Sequence, residues 1–317
     1  MKSALICGIS GQDGAYLAQL LLSKGYRVFG TSRDVEAGNW APLKELGIYE
    51  QVELLSLSPV DFKSVLDAFH KSKPDEVYFL AGQSSVALSF EQPVETMQSI
   101  VLGTLNMLEA CRLFPGVKLY NAGSSECFGD TDDGCADETT NFNPQSPYAI
   151  GKSSSFWLVS NYRKAYGIYV CTGILFNHES PFRPVRFVTK KIVQAARDIA
   201  NGSEEKLVLG NLSIIRDWGW APEYVEAMWL MLQQAEPDDF VIATGHSHTL
   251  ADFVSLVFQY YGLDWEEHVI QDPKYFRPIE HLVSRSNPQK AKSILGWEAK
   301  KRLKDMVILL CEYSNNK

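Results

Sequence analysis

The chain has 317 residues, 45% hydrophobic and 21% charged, the proportions of a globular protein large enough to bury its own core without a metal or disulfide staple. Its formal net charge of −8 excludes broad nucleic-acid binding, which needs a basic face, but not an anionic small ligand, because a few arginines outweigh the global sign inside a pocket. No uninterrupted apolar run is long enough to span a bilayer, and strand-like sequence begins at Ser3 with no signal peptide before it, so a cytoplasmic protein away from membranes is expected. The six cysteines form no C-x-x-C pair and read as reduced core residues rather than metal ligands.

In chain order, the first half alternates strand and helix. Strands are predicted over 3–7, 26–30, 52–57, 76–81 and 118–122, with helices over 15–24, 61–71 and 94–113. The second half is less regular: helices over 147–166, 187–201, 221–234, 250–261, 288–295 and 303–313, and strands over 169–176 and 240–244. This order predicts an α/β fold, a doubly wound parallel sheet of the Rossmann type with a smaller C-terminal substrate-binding lobe. The expected division is 1–175 with 213–245 for the dinucleotide-binding domain and 176–212 with 246–317 for the lobe. The polar loop 130–147 has the length of a functional loop.

The first strand runs into Gly8, Gly11 and Gly14, and a helix follows. Gly8 permits the tight turn, Gly11 lets the backbone approach a pyrophosphate, and Gly14 allows close helix–strand contact, so dinucleotide binding is expected. At the end of the second strand, Arg33 suits a 2′-phosphate and Asp34 a ribose hydroxyl; the pair favours NADP over NAD without excluding the latter.

Tyr148 and Lys152 stand four residues apart at the start of a predicted helix and share a face, where the ammonium favours the phenolate and the phenolate takes a proton from a sugar hydroxyl. Upstream, Ser124 and Glu126 stand at the end of a predicted strand, two residues apart and so on one face if the strand continues. Ser124 is placed to hydrogen-bond a sugar oxygen. A carboxylate beside a redox tyrosine can take a carbon-bound proton, and its acid form can protonate a leaving hydroxyl; a simple epimerase or reductase needs no such group.

Together these segments resemble the GDP-mannose 4,6-dehydratases of the extended short-chain dehydrogenase/reductase superfamily. The similarity runs from about residue 3 to 310 and rests on 8–17, 80–84, 124–129, 146–152, 177–181, 187–191, 216–219 and 275–278. It implies Ser124, Glu126, Tyr148 and Lys152 as catalytic residues. It implies cofactor contacts from Ser10, Gln12 and Asp13 in the glycine turn, from Ser58, Leu80, Ala81, Gly82 and Ser84, and from His178 and Arg183. Ser85, Asn177, Lys191, Arg216, Arg277 and Glu280 would line the nucleotide-sugar pocket, with Trp218 and Tyr275 as candidate walls.

The implied activity is dehydration of GDP-mannose, or a close GDP-sugar, to the 4-keto-6-deoxy sugar by internal hydride transfer from C4 to C6. A GDP-heptose dehydratase, a GDP-sugar reductase or epimerase, and a non-catalytic NADP-binding protein are the alternatives. Ser124 stands where the family usually has threonine, and the loop after Arg33 lacks a second arginine that in relatives touches the 2′-phosphate and a neighbouring subunit. A homodimer or homotetramer is expected, formed through helices 94–113 and 147–166, the latter with Phe156, Trp157 and Val159 turned outward.

Overall fold

The computed structural model describes residues 1–131, 134–276, 279 and 281–317. Arg277 and Glu280, expected in the sugar pocket, lie outside the described residues.

The first half builds β1 (Ser3–Cys7), α1 (Gln12–Ser23), β2 (Arg27–Ser32), α2 (Ala41–Glu45), β3 (Val52–Ser56), α3 (Phe62–Ser72), β4 (Glu76–Phe79), α4 (Val86–Glu91), α5 (Pro93–Met97), α6 (Gly103–Leu113) and β5 (Lys118–Ala122). The second half adds α7 (Pro147–Tyr166), β6 (Val170–Leu175), β7 (Asn177–Glu179), α8 (Val188–Ala200), β8 (Leu207–Leu209), β9 (Ile215–Trp220) and α9 (Ala221–Gln233). The chain ends with β10 (Phe240–Ile242), β11 (Ser247–Thr249), α10 (Leu250–Tyr260), α11 (Trp265–His268), β12 (Val269–Gln271) and α12 (Leu303–Asn315). Seven strands form one sheet in the order β10-β6-β5-β4-β1-β2-β3, and every pair is parallel.

Strands covered on both faces read as near-continuous apolar runs, as β1, β4 and β6 do. One face carries α1 and α9, packed on each other over Ile6, Tyr78 and Tyr120. The other carries α3, α6 and α7 over Leu5, Val77 and Leu119. Buried Glu76 of β4 is held by Lys2, Tyr26 and Tyr78 at 2.8–3.0 Å.

Strand order reverses between β1 and β4. The chain leaves β1 toward β2 on one side and leaves β4 toward β5 on the other, which opens a crevice at the carboxyl ends of the two strands. Gly8 turns there with φ +91°, and a Cβ on it would lie 3.0 Å from the Ala81 nitrogen. α1 begins at Gln12, three residues before the expected start, because Gly14 sits in its first turn against the Gly8 carbonyl. Glycine lowers local helix propensity, but this close packing overrides it.

The expected helix 94–113 is α5 and α6 joined by a π-helical turn, Gln98–Leu102. Gly151 and Ser155 of α7 let that turn approach, and Ser155 Oγ bonds the Ile100 carbonyl. The outward face of α7 also needs correction. Val159 is wholly buried in the core, and Phe156 is half-buried against Phe142 at 4.8 Å, so only Trp157 of the three is exposed.

Past β6 lie the strands that the hydrophobic pattern missed. β7, β9 and β11 form a small sheet, and β8 pairs with β12. Most are three residues long, too short to show a period, and β9 carries buried Arg216 and Asp217 in its centre. β9 thus pairs outside the main sheet while the next element, α9, packs beneath it on α1. α8, α10 and α12 enclose a second core with Leu207, Leu209 and Trp218. Helix 288–295 is only a π-helical turn, Ala291–Leu295. No helix among the described residues is long and apolar enough to cross a membrane.

Gly14→Ala tests the crevice packing. The added methyl would stand 2.4 Å from the Gly8 carbonyl oxygen and 2.6 Å from the Ile9 Cα, both backbone atoms without freedom to yield. Overpacking of this kind costs about 1–3 kcal/mol, so denaturant unfolding should show a lower midpoint at unchanged slope.

Candidate active site

Two adjoining cavities open above the carboxyl ends of the sheet. The inner one, about 290 Å³, is lined by Asp13, Ser84, Ser85, Ser124, Glu126, Tyr148, Lys152, Asn177, His178, Arg183 and Trp218. The outer one, about 520 Å³, is lined by Arg33, Ser58, Ala81, Gly82 and Ser84, and Arg186 borders both. Residues far apart in the chain meet here because parallel strands end on one edge.

β5 does not continue through Ser124 as an extended strand. Ser124 caps a 3₁₀ turn, Ser125–Cys127, and its Oγ accepts from the Glu126 amide at 3.3 Å. Both side chains still enter the inner cavity, so the turn does what a shared strand face was expected to do. Tyr148 and Lys152 follow from the first two turns of α7, started by Ser146, whose hydroxyl accepts from the Ala149 amide.

The electrostatics differ from the expectation. Burial pushes the Tyr148 phenol up, and the opposing influences are the Ser124 hydroxyl and then Arg183 rather than Lys152. The Lys152 Nζ lies 5.8 Å from the Tyr148 ring centroid and donates to the Ala122 carbonyl at 2.7 Å. Burial brings the Lys152 ammonium down to about 8.

Beside them, His178 Nε2 and Asp13 Oδ2 are 3.0 Å apart, and His178 Nδ1 is 2.7 Å from the Phe176 carbonyl. Burial alone would lower His178, but the Asp13 carboxylate outweighs it and raises it; in return His178 and Gln12 hold Asp13 below its usual range against burial. Gln12 ties the same corner to the His178 carbonyl and to Ser180.

Ser10, Gly11 and Leu80 belong to the turns around the crevice, with Leu80 in the inner lining. Arg183 pairs with buried Glu179 at 3.0 Å and stacks on Phe187. Ser85 caps α4. Two expected sugar-pocket cations sit elsewhere. Lys191 Nζ donates to the Val208 carbonyl at 2.7 Å and lies 5.2 Å from the Tyr275 ring, outside both linings. Arg216 is buried and donates to the carbonyls of Ile215, His281 and Leu282.

The reading of sequence motifs overlooked Glu179, Arg186, Thr189 and His281. Thr189 Oγ1 donates to Glu179 at 2.8 Å, and His281 Nδ1 stands 3.8 Å from Glu126 Oε2. The two arginines, Arg183 and Arg186, set between Phe182 and Phe187 are the one local signal that would have drawn attention to Arg186; His281 had none.

The GDP-mannose 4,6 dehydratase family model matches residues 5–309. The chain belongs to that family. It is 45% identical to GDP-mannose 4,6 dehydratase 1 of Arabidopsis thaliana, covering 98% of this chain and 89% of that protein. It is 41% identical to GDP-mannose 4,6-dehydratase of Vibrio cholerae, covering 96% and 91%. Among solved structures, the UDP-glucose 4-epimerase of Thermotoga maritima superposes with a TM-score of 0.89 at 22% identity, over 99% of each chain. The dTDP-glucose 4,6-dehydratase of Bacillus anthracis, solved with NAD, superposes at 0.88 with 17% identity, over 100% of this chain and 97% of that one. At such identities these two carry the fold alone.

The Asp13–His178 pair makes stability depend on pH. The raised His178 contributes stability fully below its unfolded value near 6.5, and this is lost as pH rises through the higher folded value. The lowered Asp13 contributes above about 3.8 and loses it as pH falls below. Asp13→Asn should therefore cost roughly 1.5–3 kcal/mol at pH 5.5 and distinctly less at pH 9, read by thermal unfolding at both values.

Proposed function

We propose that the chain is a lyase that removes water from GDP-mannose to give the GDP-4-keto-6-deoxy sugar. The observation that carries this is the entry of Glu126 into the same cavity as Tyr148, Ser124 and Lys152, beside a dinucleotide cradle. Membership of the family and the names of its relatives support the choice of sugar nucleotide.

The cradle fits a pyrophosphate. Gly8 and Gly14 leave no room for a Cβ, and no side chain caps the N-terminus of α1, so its first amides face the crevice. A dinucleotide held there by this turn would supply the hydride chemistry between sugar C4 and C6. Tyr148 takes the proton from the 4-hydroxyl, with Ser124 bonding the phenol oxygen. The ketone so formed acidifies the C5 hydrogen. Glu126 removes that proton and passes it to O6, water leaves, and C5 regains a proton from solvent when C6 is reduced. Lys152, anchored on the Ala122 carbonyl, fixes the floor of the cavity under Tyr148.

The cofactor is NADP in this reading. Asp34 Oδ1 accepts from the Glu36 amide at 2.8 Å, which ties its carboxylate into its own loop, whereas Arg33 lines the outer cavity. Arg186 supplies a second cation on the opposite rim. The assembly is a homodimer through α5–α6 and α7, whose neighbouring surfaces expose Val94, Leu102, Leu113, Ile150, Trp157 and Tyr166.

GDP-mannose deuterated at C4 tests the reaction. The product should be lighter by one water and carry the label at C6, and Glu126→Gln should slow water loss by ~10²–10⁴-fold while leaving sugar binding intact. A panel of other GDP- and UDP-sugars should give slower turnover; no water loss from GDP-mannose would overturn the reading. For the cofactor, Arg33→Ala should weaken NADP binding roughly tenfold and leave NAD binding within about twofold, measured by titration calorimetry.

A further inference from the structure

One buried side chain faces the site without a part in the chemistry above. His281 is 4% exposed in its side chain, and its Nε2 donates to the Val283 carbonyl at 2.8 Å. Its Nδ1 has no hydrogen-bond partner and stands 3.8 Å from Glu126 Oε2. Among the described residues, two further charged groups face it. Asp130 Oδ1 is 3.9 Å from Nε2 and accepts from the Leu282 and Val283 amides, and Arg216 donates to the His281 carbonyl at 2.6 Å. The ring is therefore clamped from β9 on one side and from the loop after Glu126 on the other.

A carbonyl only accepts, so Nε2 carries a proton. The state of Nδ1 then decides the contact with Glu126. A bare Nδ1 would turn a lone pair toward the carboxylate, with the desolvation of the buried ring nitrogen uncompensated. A protonated Nδ1 would donate a charge-assisted bond to it.

We propose that His281 is a positioning residue for Glu126, an imidazolium whose Nδ1–H aims the carboxylate at the substrate and makes its protonated form a readier acid. This rests on the dehydratase reading of the same cavity. The electrons balance without any added reactant. The C5–H bond breaks as the Glu126 O–H bond forms, and its electron pair enters the C4–C5 enolate. That pair then expels O6, which takes the proton from Glu126 and departs as water. His281 keeps its own proton throughout; its positive charge offsets the carboxylate when Glu126 is ionised and favours return of the proton to O6.

Two isosteric variants separate the two ends of the ring. His281→Gln places an amide nitrogen where Nε2 was, keeping the Val283 bond and losing the group that faces Glu126. His281→Asn places one where Nδ1 was, keeping a donor toward Glu126 and losing the Val283 bond. With NADP-loaded enzyme and GDP-mannose, reduced-cofactor absorbance reads the C4 step and mass spectrometry reads water loss. H281Q should reduce the cofactor at close to the wild-type rate and lose water roughly 100-fold more slowly, the low end of an acid–base effect. H281N should restore water loss to within about tenfold of wild type.

Nitrogen NMR of labelled histidine provides a reading without turnover: His281 should be protonated at both nitrogens in the wild type and only at Nε2 in Glu126→Gln. The proposal is overturned by H281Q losing water at the wild-type rate, by equal loss in both variants, or by a neutral His281 in the wild type. If wild-type enzyme leaves GDP-mannose intact, the dehydratase reading falls with it; if the wild type turns over and the variants behave otherwise than stated, only the role of His281 falls.

Discussion

The reversal of strand order between β1 and β4 is the constraint on which the remaining architecture rests. Two adjacent parallel strands whose chains depart in opposite directions cannot close the space above their carboxyl ends. The glycine turn lines that space because backbone from Ala81 and from the turn itself comes within contact distance of where side chains would be. β5 and β6 end on the same edge, so Ser124 and Asn177 arrive beside the crevice by topology, and α7 brings Tyr148 and Lys152 over it.

Burial then sets the chemistry of each group. Withdrawal from water raises the Tyr148 phenol and lowers the Lys152 ammonium, in both cases favouring the neutral form. Where a charge is retained in the same region, it is paired: Asp13 with His178, Arg183 with Glu179. Ser124 is the common neighbour of Glu126 and Tyr148, since its oxygen caps the turn carrying Glu126 and also bonds the Tyr148 phenol. Its hydroxyl is thus needed twice, once for position and once for acidity.

The smaller lobe is attached to this edge through buried polar bonds as much as through its own apolar core. Asp217 in β9 accepts from Thr244, Gly245 and Ser286, which ties the end of β10 and the segment near 284–286 to the small sheet. Thr131 and Ala136 donate to the Val283 and Arg285 carbonyls from the opposite side. The segment beginning at His281 is thereby held between the lobe and the loop after Glu126, where a displacement on either side would be felt at the carboxylate.

Much of this was legible in the chain itself. Apolar runs of five or six residues bounded by turn signals located the strands of the large sheet, and the i, i+4 spacing of Tyr148 and Lys152 located the start of α7, because local periodicity and helix geometry depend only on near neighbours. The glycine spacing and Glu126 pointed to a dinucleotide and to elimination on the same local grounds. Tertiary structure alone decided the rest. The three-residue strands have no period to read, and π-helical turns in and near the helices arise from packing against neighbours. The turn at Ser124–Glu126, the outward face of α7 and the placement of Arg216 and Lys191 outside the lining of the inner cavity follow from contacts across the fold. So does the approach of His281 to Glu126, two residues whose chain separation gives no sign that they stand 3.8 Å apart, because burial and distance are properties of the folded edge and not of the sequence around either one.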